Sequence, residues 1–275
     1  MAIQSIFDGL EHVVRSDEAL APYTWFRLGG TAQYFAEPTT REELAALVGR
    51  CREQELPVRL LGGGSNLLVR DEGVAGLVIH LAAPVFGEIS VKGNSLTAGG
   101  GARLGHVLST AAREGLAGLE PLAGIPGTIG GALHGNSGSH GTDIGQWTAA
   151  AVVMTHTGEI LERPAAEMNF SYRRSSLDEL VILSARLELE PGDPRELTRT
   201  MQKHWIVKKA EQPLGEQCAG CVFKNPSGVS AASLIEQAGL KGTRVGGAEV
   251  SERHANFVVA HPGAKAEDVL KLIEV

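Results

Sequence analysis

The sequence predicts a mixed helix-and-strand protein of about two domains. Three observations point there. The chain has 275 residues. Short β-type runs and one-faced helical runs follow each other along its whole length. Pro191-Gly192-Asp193-Pro194 reads as a linker, which sets a domain boundary near 192. With 43% hydrophobic and 21% charged residues the composition is that of an ordinary globular protein. A net charge of −7 and a pI near 5.7 remove any global attraction to nucleic acid or anionic lipid. No apolar run approaches ~18 residues. The first residues, MAIQSIFDGLEHVVR, carry acids and a helical pattern where a signal peptide would have a basic start and an apolar block. A cytoplasmic protein is expected. Its three cysteines, Cys51, Cys218 and Cys221, cannot all pair and are too few for a disulfide scaffold, which fits free thiols in a reducing compartment.

Residues 1–21 read as a lead-in helix. A strand is expected over 32–35, then a helix whose start is a capping box, Thr40 with Glu43 three residues on. Leu44, Leu47, Val48 and Cys51 share one face of that helix, so Cys51 is a core residue. The strand 58–61 runs into Gly62-Gly63-Gly64-Ser65-Asn66, and a second strand is expected from Leu67. Strand, glycine turn, strand differs from the strand, glycine turn, helix of a dinucleotide-binding Rossmann unit. The glycine turn is either a plain turn or a nest of backbone amides for a phosphate. Short strands are expected at 77–80, 89–91 and 96–98, then a helix with Leu104, Val107, Leu108, Ala111 and Ala112 on one face.

The stretch from Gly118 to Gly145 mixes nine glycines with Leu119, Leu122, Ile125, Ile129 and Leu133. It is too apolar for a flexible linker and too irregular for collagen, so it is either a loop wrapped around a flat or anionic ligand or a set of tight turns. Strands are expected at 149–155, 159–162 and 180–189, with Thr157-Gly158 as a hairpin turn. Between them Tyr172-Arg173-Arg174 forms either a solvated loop or an anion-binding corner. Asp193 as N-cap and Pro194 at the first position start a helix striped by Leu197, Met201 and Trp205. A helix over 230–238 is expected to bury Ala231, Leu234, Ile235 and Ala238, followed by a strand at 256–260 and a last helix with Ala266, Val269, Leu270 and Ile273 on one face.

Several common chemistries are missing. A structural zinc site needs four ligands, and no second Cys or His pair with finger spacing accompanies Cys218-x-x-Cys221. The sequence has no G-x-G-x-x-G, no Gly-Lys of a phosphate-binding loop, no H-E-x-x-H and no G-x-S-x-G.

Six motifs in order carry a resemblance: TWFRLGG (24–30), LGGGSNLLV (61–69), GLEPLAGIPGTIGGALHGNSG (118–138), FSYRRS (170–175), AGCVFKNP (219–226) and AASLIEQAGLKGTRVGGAEVSERHANFVV (231–259). Together they resemble the UDP-N-acetylenolpyruvoylglucosamine reductase family, in its short form without an extra tyrosine-bearing loop. The resemblance implies an α+β fold. It comprises an FAD-binding domain of the vanillyl-alcohol-oxidase (PCMH) type over 22–191, with subdomains of about 22–72 and 73–191, and a smaller α+β substrate-binding domain over 192–275.

It also implies NADPH-driven reduction of the enolpyruvyl ether of UDP-N-acetylglucosamine to UDP-N-acetylmuramate, for peptidoglycan precursors. FAD would be the cofactor, the UDP-sugar the small-molecule partner and the protein a monomer, with no metal, nucleic acid or membrane involved. FAD would be held by Arg27, Gly62, Gly63, Gly64, Ser65, Asn66, Gly124, Ile125, Pro126, Gly127, Thr128, Gly130, Gly131, Ala132, Asn136 and Gly138. Arg173 would stabilise carbanion character next to the substrate carboxylate. Tyr172, Lys209, Lys224 and Asn225 would contact substrate. Cys221 stands where the family usually has the proton-donating serine, and NSGSHG (136–141) where NAGAYG is more usual. The family's catalytic glutamate lies in a segment after the last helix, and Glu274 is out of that pattern, so either a further segment beyond Val275 carries it or the enzyme works without that carboxylate. The alternatives are another FAD oxidase or dehydrogenase of the same fold, or a flavin- or UDP-sugar-binding protein without catalysis.

Overall fold

In the computed structural model, which describes residues 6–275, the first strand is β1 (Val14–Ala19). The helix expected over residues 1–21 lies partly outside the described residues, and over 14–19 it is replaced. Ile6, Phe7, Leu10, Val13 and Val14 are all buried, as the helical spacing required, but successive i to i+3 turns at Phe7–Leu10 and Leu10–Val13 bury them. Asp17, at φ 53, then takes the backbone out of any right-handed helix. β2 (Thr31–Ala36) follows, then α1 (Arg41–Glu53), opened by the reciprocal Thr40–Glu43 capping box and burying Leu44, Leu47, Val48 and Cys51.

β3 (Val58–Leu61) and β4 (Val74–His80) pair in parallel, Leu61 opposite His80, in a sheet of order β1-β2-β4-β3. This corrects the strand expected from Leu67. A parallel pair cannot be closed by a hairpin and needs a crossover of about a dozen residues. Residues 62–73 serve as that irregular crossover, with Leu67 exposed.

β5 (Ile89–Lys92) and β6 (Ser95–Gly99) form a hairpin, followed by α2 (Leu104–Arg113), the short strand β7 (Leu116–Ala117) and the short helix α3 (Ile129–His134). β8 (Gly138–Ser139) and β9 (Thr142–Asp143) make a small hairpin. β10 (Thr148–Met154), β11 (Ile160–Pro164) and β14 (Val181–Glu188) join β5 and β6 in an antiparallel sheet of order β11-β10-β14-β6-β5. Between them β12 (Phe170–Ser171) pairs with β13 (Arg174–Ser175).

β15 (Glu190–Pro191), paired with β7, leads into α4 (Pro194–Glu211), whose first amides, Arg195 and Glu196, both donate to Asp193 Oδ1 at 3.0 Å. α5 (Ala231–Gln237), the antiparallel strands β16 (Arg244–Val245), β17 (Ala248–Val250) and β18 (Val258–Ala260), and α6 (Ala266–Ile273) complete the chain. Two expected helix faces are not covered as read. On α4, Trp205 is exposed and Lys208 is the buried residue; on α5, Ala231 is buried while Leu234 and Ala238 are exposed.

The chain divides into two compact units, each discontinuous in sequence. One holds the residues up to Ser16 with Tyr34–Gly63 and Gly76–Trp205; the other holds Asp17–Gln33, Gly64–Ala75 and Ile206–Val275. The first has two apolar clusters. Leu104, Val107 and Leu108 of α2 pack with Ile129 and Leu133 of α3 and Ala151, Val153, Ala185 and Leu187 of the five-stranded sheet, while α1 packs with Leu77, Ile79 and Phe86. In the second, Phe26 and Leu28 pack with Ala248, Val250, Val258, Val269 and Leu272.

Candidate active site

In the first unit three glycine segments converge. Gly100 N–H donates to Leu183 O (2.8 Å) and Gly100 O accepts from Gly130 N–H (2.8 Å); Leu104 N–H donates to Gly127 O (3.0 Å) and Ile129 N–H to Ala102 O (2.9 Å). A Cβ on Gly62 would lie 2.9 Å from Thr128 Oγ1, and one on Gly63 2.9 Å from Gly127 Cα. Gly63 is required here because its backbone lies against that of Gly127, while Gly62 lies against the Thr128 hydroxyl. Thr128 caps α3 through Gly131 N–H, while the N–H groups of Gly127 and Thr128 meet no protein acceptor among the described residues. Gly131 is exposed, and a Cβ there would meet nothing closer than Thr128 Oγ1 at 3.7 Å. A glycine turn with open donors and an open face suits a flat anionic ligand.

Beside α3 stands the hairpin of β12 and β13, whose two turn residues are Tyr172 and Arg173. Both are exposed, the guanidinium carbon of Arg173 lies 6.0 Å from the Tyr172 ring centre, and Arg173 is held at φ 56. A non-glycine residue in that region costs on the order of 1 kcal/mol, so its surroundings must hold it there. Asn136 does much of this. Its side chain is buried, Nδ2 donates to Ser171 O (2.9 Å), and Oδ1 accepts from Gly145 N–H (3.1 Å). Ser175 Oγ adds a bond to His134 O at 3.0 Å. The Asn136 amide is thus engaged within the chain. Gly138 pairs with Asp143 in the β8–β9 hairpin, where His140 and Gly141, at φ 52 and 80, form the turn.

Gly124, Ile125, Pro126 and Ala132 also lie in the first unit, and the other expected residues lie in the second. Gly64, at φ 63, would place a Cβ 1.9 Å from Tyr23 O, and its own carbonyl accepts from Trp25 N–H (3.0 Å). Arg27, also at positive φ and exposed, donates its guanidinium to Pro22 O. Ser65 is half-buried and Asn66 exposed. Lys209, Lys224, Asn225 and Cys221 are exposed, and Asn225 Oδ1 accepts from Ala231 N–H at the start of α5 (3.0 Å). Cys218 is buried, its thiol donating to Pro213 O, and burial pushes its pKa up.

A curated relative from Symbiobacterium thermophilum, UDP-N-acetylenolpyruvoylglucosamine reductase 2, is 44% identical over 263 residues, covering 95% of this chain and 85% of the relative. The chain belongs to the UDP-N-acetylenolpyruvoylglucosamine reductase family. The Bacillus subtilis reductase is 38% identical over 264 residues, covering 95% and 87%. The solved reductase of Thermus caldophilus superposes with a TM-score of 0.84 at 39% identity, covering 95% of this chain and 94% of that one. The profile of the reductase's C-terminal domain matches residues 212–275, and an FAD binding domain profile matches 32–163. A chitooligosaccharide oxidase shares the fold over 70% of this chain, at 20% identity and a TM-score of 0.52. The reductase is therefore an α+β protein of the FAD-binding oxidase fold with a small C-terminal domain.

One buried polar residue of this reductase was not singled out from the sequence. Asn256, 3% exposed, donates from Nδ2 to Phe223 O and accepts at Oδ1 from Phe223 N–H, both at 2.9 Å, while its carbonyl accepts from Val222 N–H (2.9 Å). Only its place as a polar residue between Ala255 and Phe257, at the start of the strand expected over 256–260, hinted at it.

Proposed function

We propose that this protein reduces the enolpyruvyl ether of UDP-N-acetylglucosamine to UDP-N-acetylmuramate with electrons from NADPH, as a cytoplasmic monomer in peptidoglycan precursor synthesis. The observation that carries the reading is the glycine cradle of the first unit, where Gly62 and Gly63 touch Gly127 and Thr128 and the amides of the latter two stay open. That donor set fits the pyrophosphate of FAD, with Gly124–Ala132 and Gly138 of the same unit as further cofactor residues. FAD, when bound, supplies to the methylene carbon a hydride drawn from NADPH.

The chain's residues handle the charge that follows. As the methylene carbon gains hydride, the C=C electron pair moves to the carbon bearing the carboxylate. Arg173 grips that carboxylate at two oxygens and stabilises the pair as it spreads into it, with Tyr172 shaping the pocket. Cys221 gives its thiol proton to the same carbon, completing the saturated ether, and takes a proton back from solvent. A thiol, with an ordinary pKa of ~8.5, is a far stronger acid than the serine hydroxyl the family usually has here. Lys209 neutralises the diphosphate, and Lys224 and Asn225 contact the UDP-sugar.

The test is anaerobic. NADPH should bleach the flavin's visible band, and the enolpyruvyl substrate should restore it. Bleaching restored only by oxygen would make the protein an oxidase, and flavin binding without either step would remove the catalytic reading.

A further inference from the structure

The loop that carries Cys221 has few regular bonds to fix it. Gly220 is at φ 72, Cys221 and Phe223 are exposed, and residues 218–230 contain no helix or strand. Among its partners are several on the 256–260 segment. Ala260 N–H donates to Gln217 O (2.8 Å) and Val222 N–H to Asn256 O (2.9 Å). At Phe223 no backbone partner among the described residues continues the ladder. The Asn256 side chain provides one, presenting an acceptor to Phe223 N–H and a donor to Phe223 O. Since both partners have fixed polarity, the orientation of the amide is unambiguous. The amide is itself anchored, for Asn256 N–H donates to His254 Nδ1 (3.3 Å), and the His254 ring packs edge-on against Phe257 at 4.9 Å.

We propose that Asn256 is a positioning residue for proton delivery: its buried amide acts as the missing strand partner of Val222–Phe223 and so fixes where the Cys221 thiol stands. This rests on the reading of Cys221 as proton donor. Asn256 touches no reacting atom and acts through the two residues after Cys221. Because a displacement of about 1 Å can cost up to ~100-fold in a positioned transfer, the loop's backbone bonds bear directly on the rate.

Asn256→Asp tests this, because it keeps the shape and the acceptor but turns a carboxylate oxygen toward Phe223 O, where a donor is needed. In anaerobic single turnovers of the holoenzyme, reoxidation by the enolpyruvyl substrate should slow by about 10-fold or more, with flavin reduction by NADPH within about 2-fold of wild type. Without any turnover, the alkylation rate of Cys221 by iodoacetamide should change by about 3-fold or more while Cys218 stays unreacted, which separates a moved loop from an unfolded one. In a Cys221→Ala background the same substitution should cost less than about 2-fold. Asn256→Ser, which removes both arms without adding charge, carries the same expectations if the aspartate variant does not fold. The proposal is overturned if reoxidation and alkylation match wild type, or if the penalty persists undiminished in the Cys221→Ala background. Wild-type protein that is not reoxidised by substrate would instead sink the functional reading.

Discussion

Asp71 holds the start of α6 from 195 residues away in the sequence. Its Oδ1 accepts Ala266 N–H and its Oδ2 accepts Glu267 N–H, each at 3.0 Å. The residue at the N-cap position of α6 is Lys265, whose ammonium has no lone pair to offer the open amides. Asp71 therefore does what Ser, Thr or Asp at the N-cap usually does, and adds a negative charge at the positive end of the helix dipole. Replacing it with alanine removes two charge-assisted bonds at an exposed site, for which loss of a cap sets the scale at about 1–2 kcal/mol. For a chain of this size that corresponds to a melting temperature lower by roughly 2–8 °C. Asp71→Asn keeps one acceptor and should lose about half as much, and Lys265→Ala should change nothing measurable, within about 0.5 kcal/mol. Thermal melts of the three variants give the magnitudes, and hydrogen exchange across 262–275 gives the location, since the amides of Ala266 and Glu267 should lose protection first. If Asp71→Ala melted with wild type and those two amides stayed protected, or if Lys265→Ala cost as much, the assignment of the cap would be wrong.

Three further outcomes follow from the same geometry. The Thr39 N–H above all, then His12, the Thr39 hydroxyl and the Thr40 N–H, hold the Glu43 carboxyl at about 2, below its ordinary 4.5. The lowered value means its stabilisation is complete above the ordinary value and lost as pH falls toward 2, so Glu43→Gln should cost roughly 1–2 kcal/mol at neutral pH and nearly nothing near pH 2 in denaturant titrations. Of the three thiols only Cys221 is exposed, while burial pushes Cys51 up to about 12 and raises Cys218. Native alkylation should therefore modify one site and stop turnover, and Cys221→Ser should take up no label and keep much of the activity. Asn136→Asp loses the bond to Ser171 O, so limited trypsin digestion followed by mass spectrometry should show cleavage after Arg173 or Arg174 about 3-fold or more faster than in wild type.

What the sequence made legible is what local physics decides. Thr40 and Glu43 announce the start of α1 because the bonds of a capping box span three residues, and Cys51 is readable as core because a period of 3.6 puts it beside Leu44, Leu47 and Val48. Periodicity says which residues share a face, but not whether anything covers it. That is why the stripe on α4 was readable while the exposure of Trp205 and the burial of Lys208 were not. The strand expected at Leu67 failed for a related reason, since the partner of β3 is a parallel strand beyond a crossover and no local pattern names a partner. In the candidate site, Arg173 and Cys221 were reached through motifs, and the residues that hold their loops were not. Asn136 lies 35 residues from Ser171 and Asn256 lies 33 residues from Phe223. An amide side chain has one peptide group's donor and acceptor, so it can replace a strand wherever a loop must leave a sheet, and nothing in the surrounding sequence marks it for that. Such a residue is recognised only by what becomes unpaired without it. The same fact makes aspartate, closest to asparagine in shape, the substitution that separates pairing from packing at both sites.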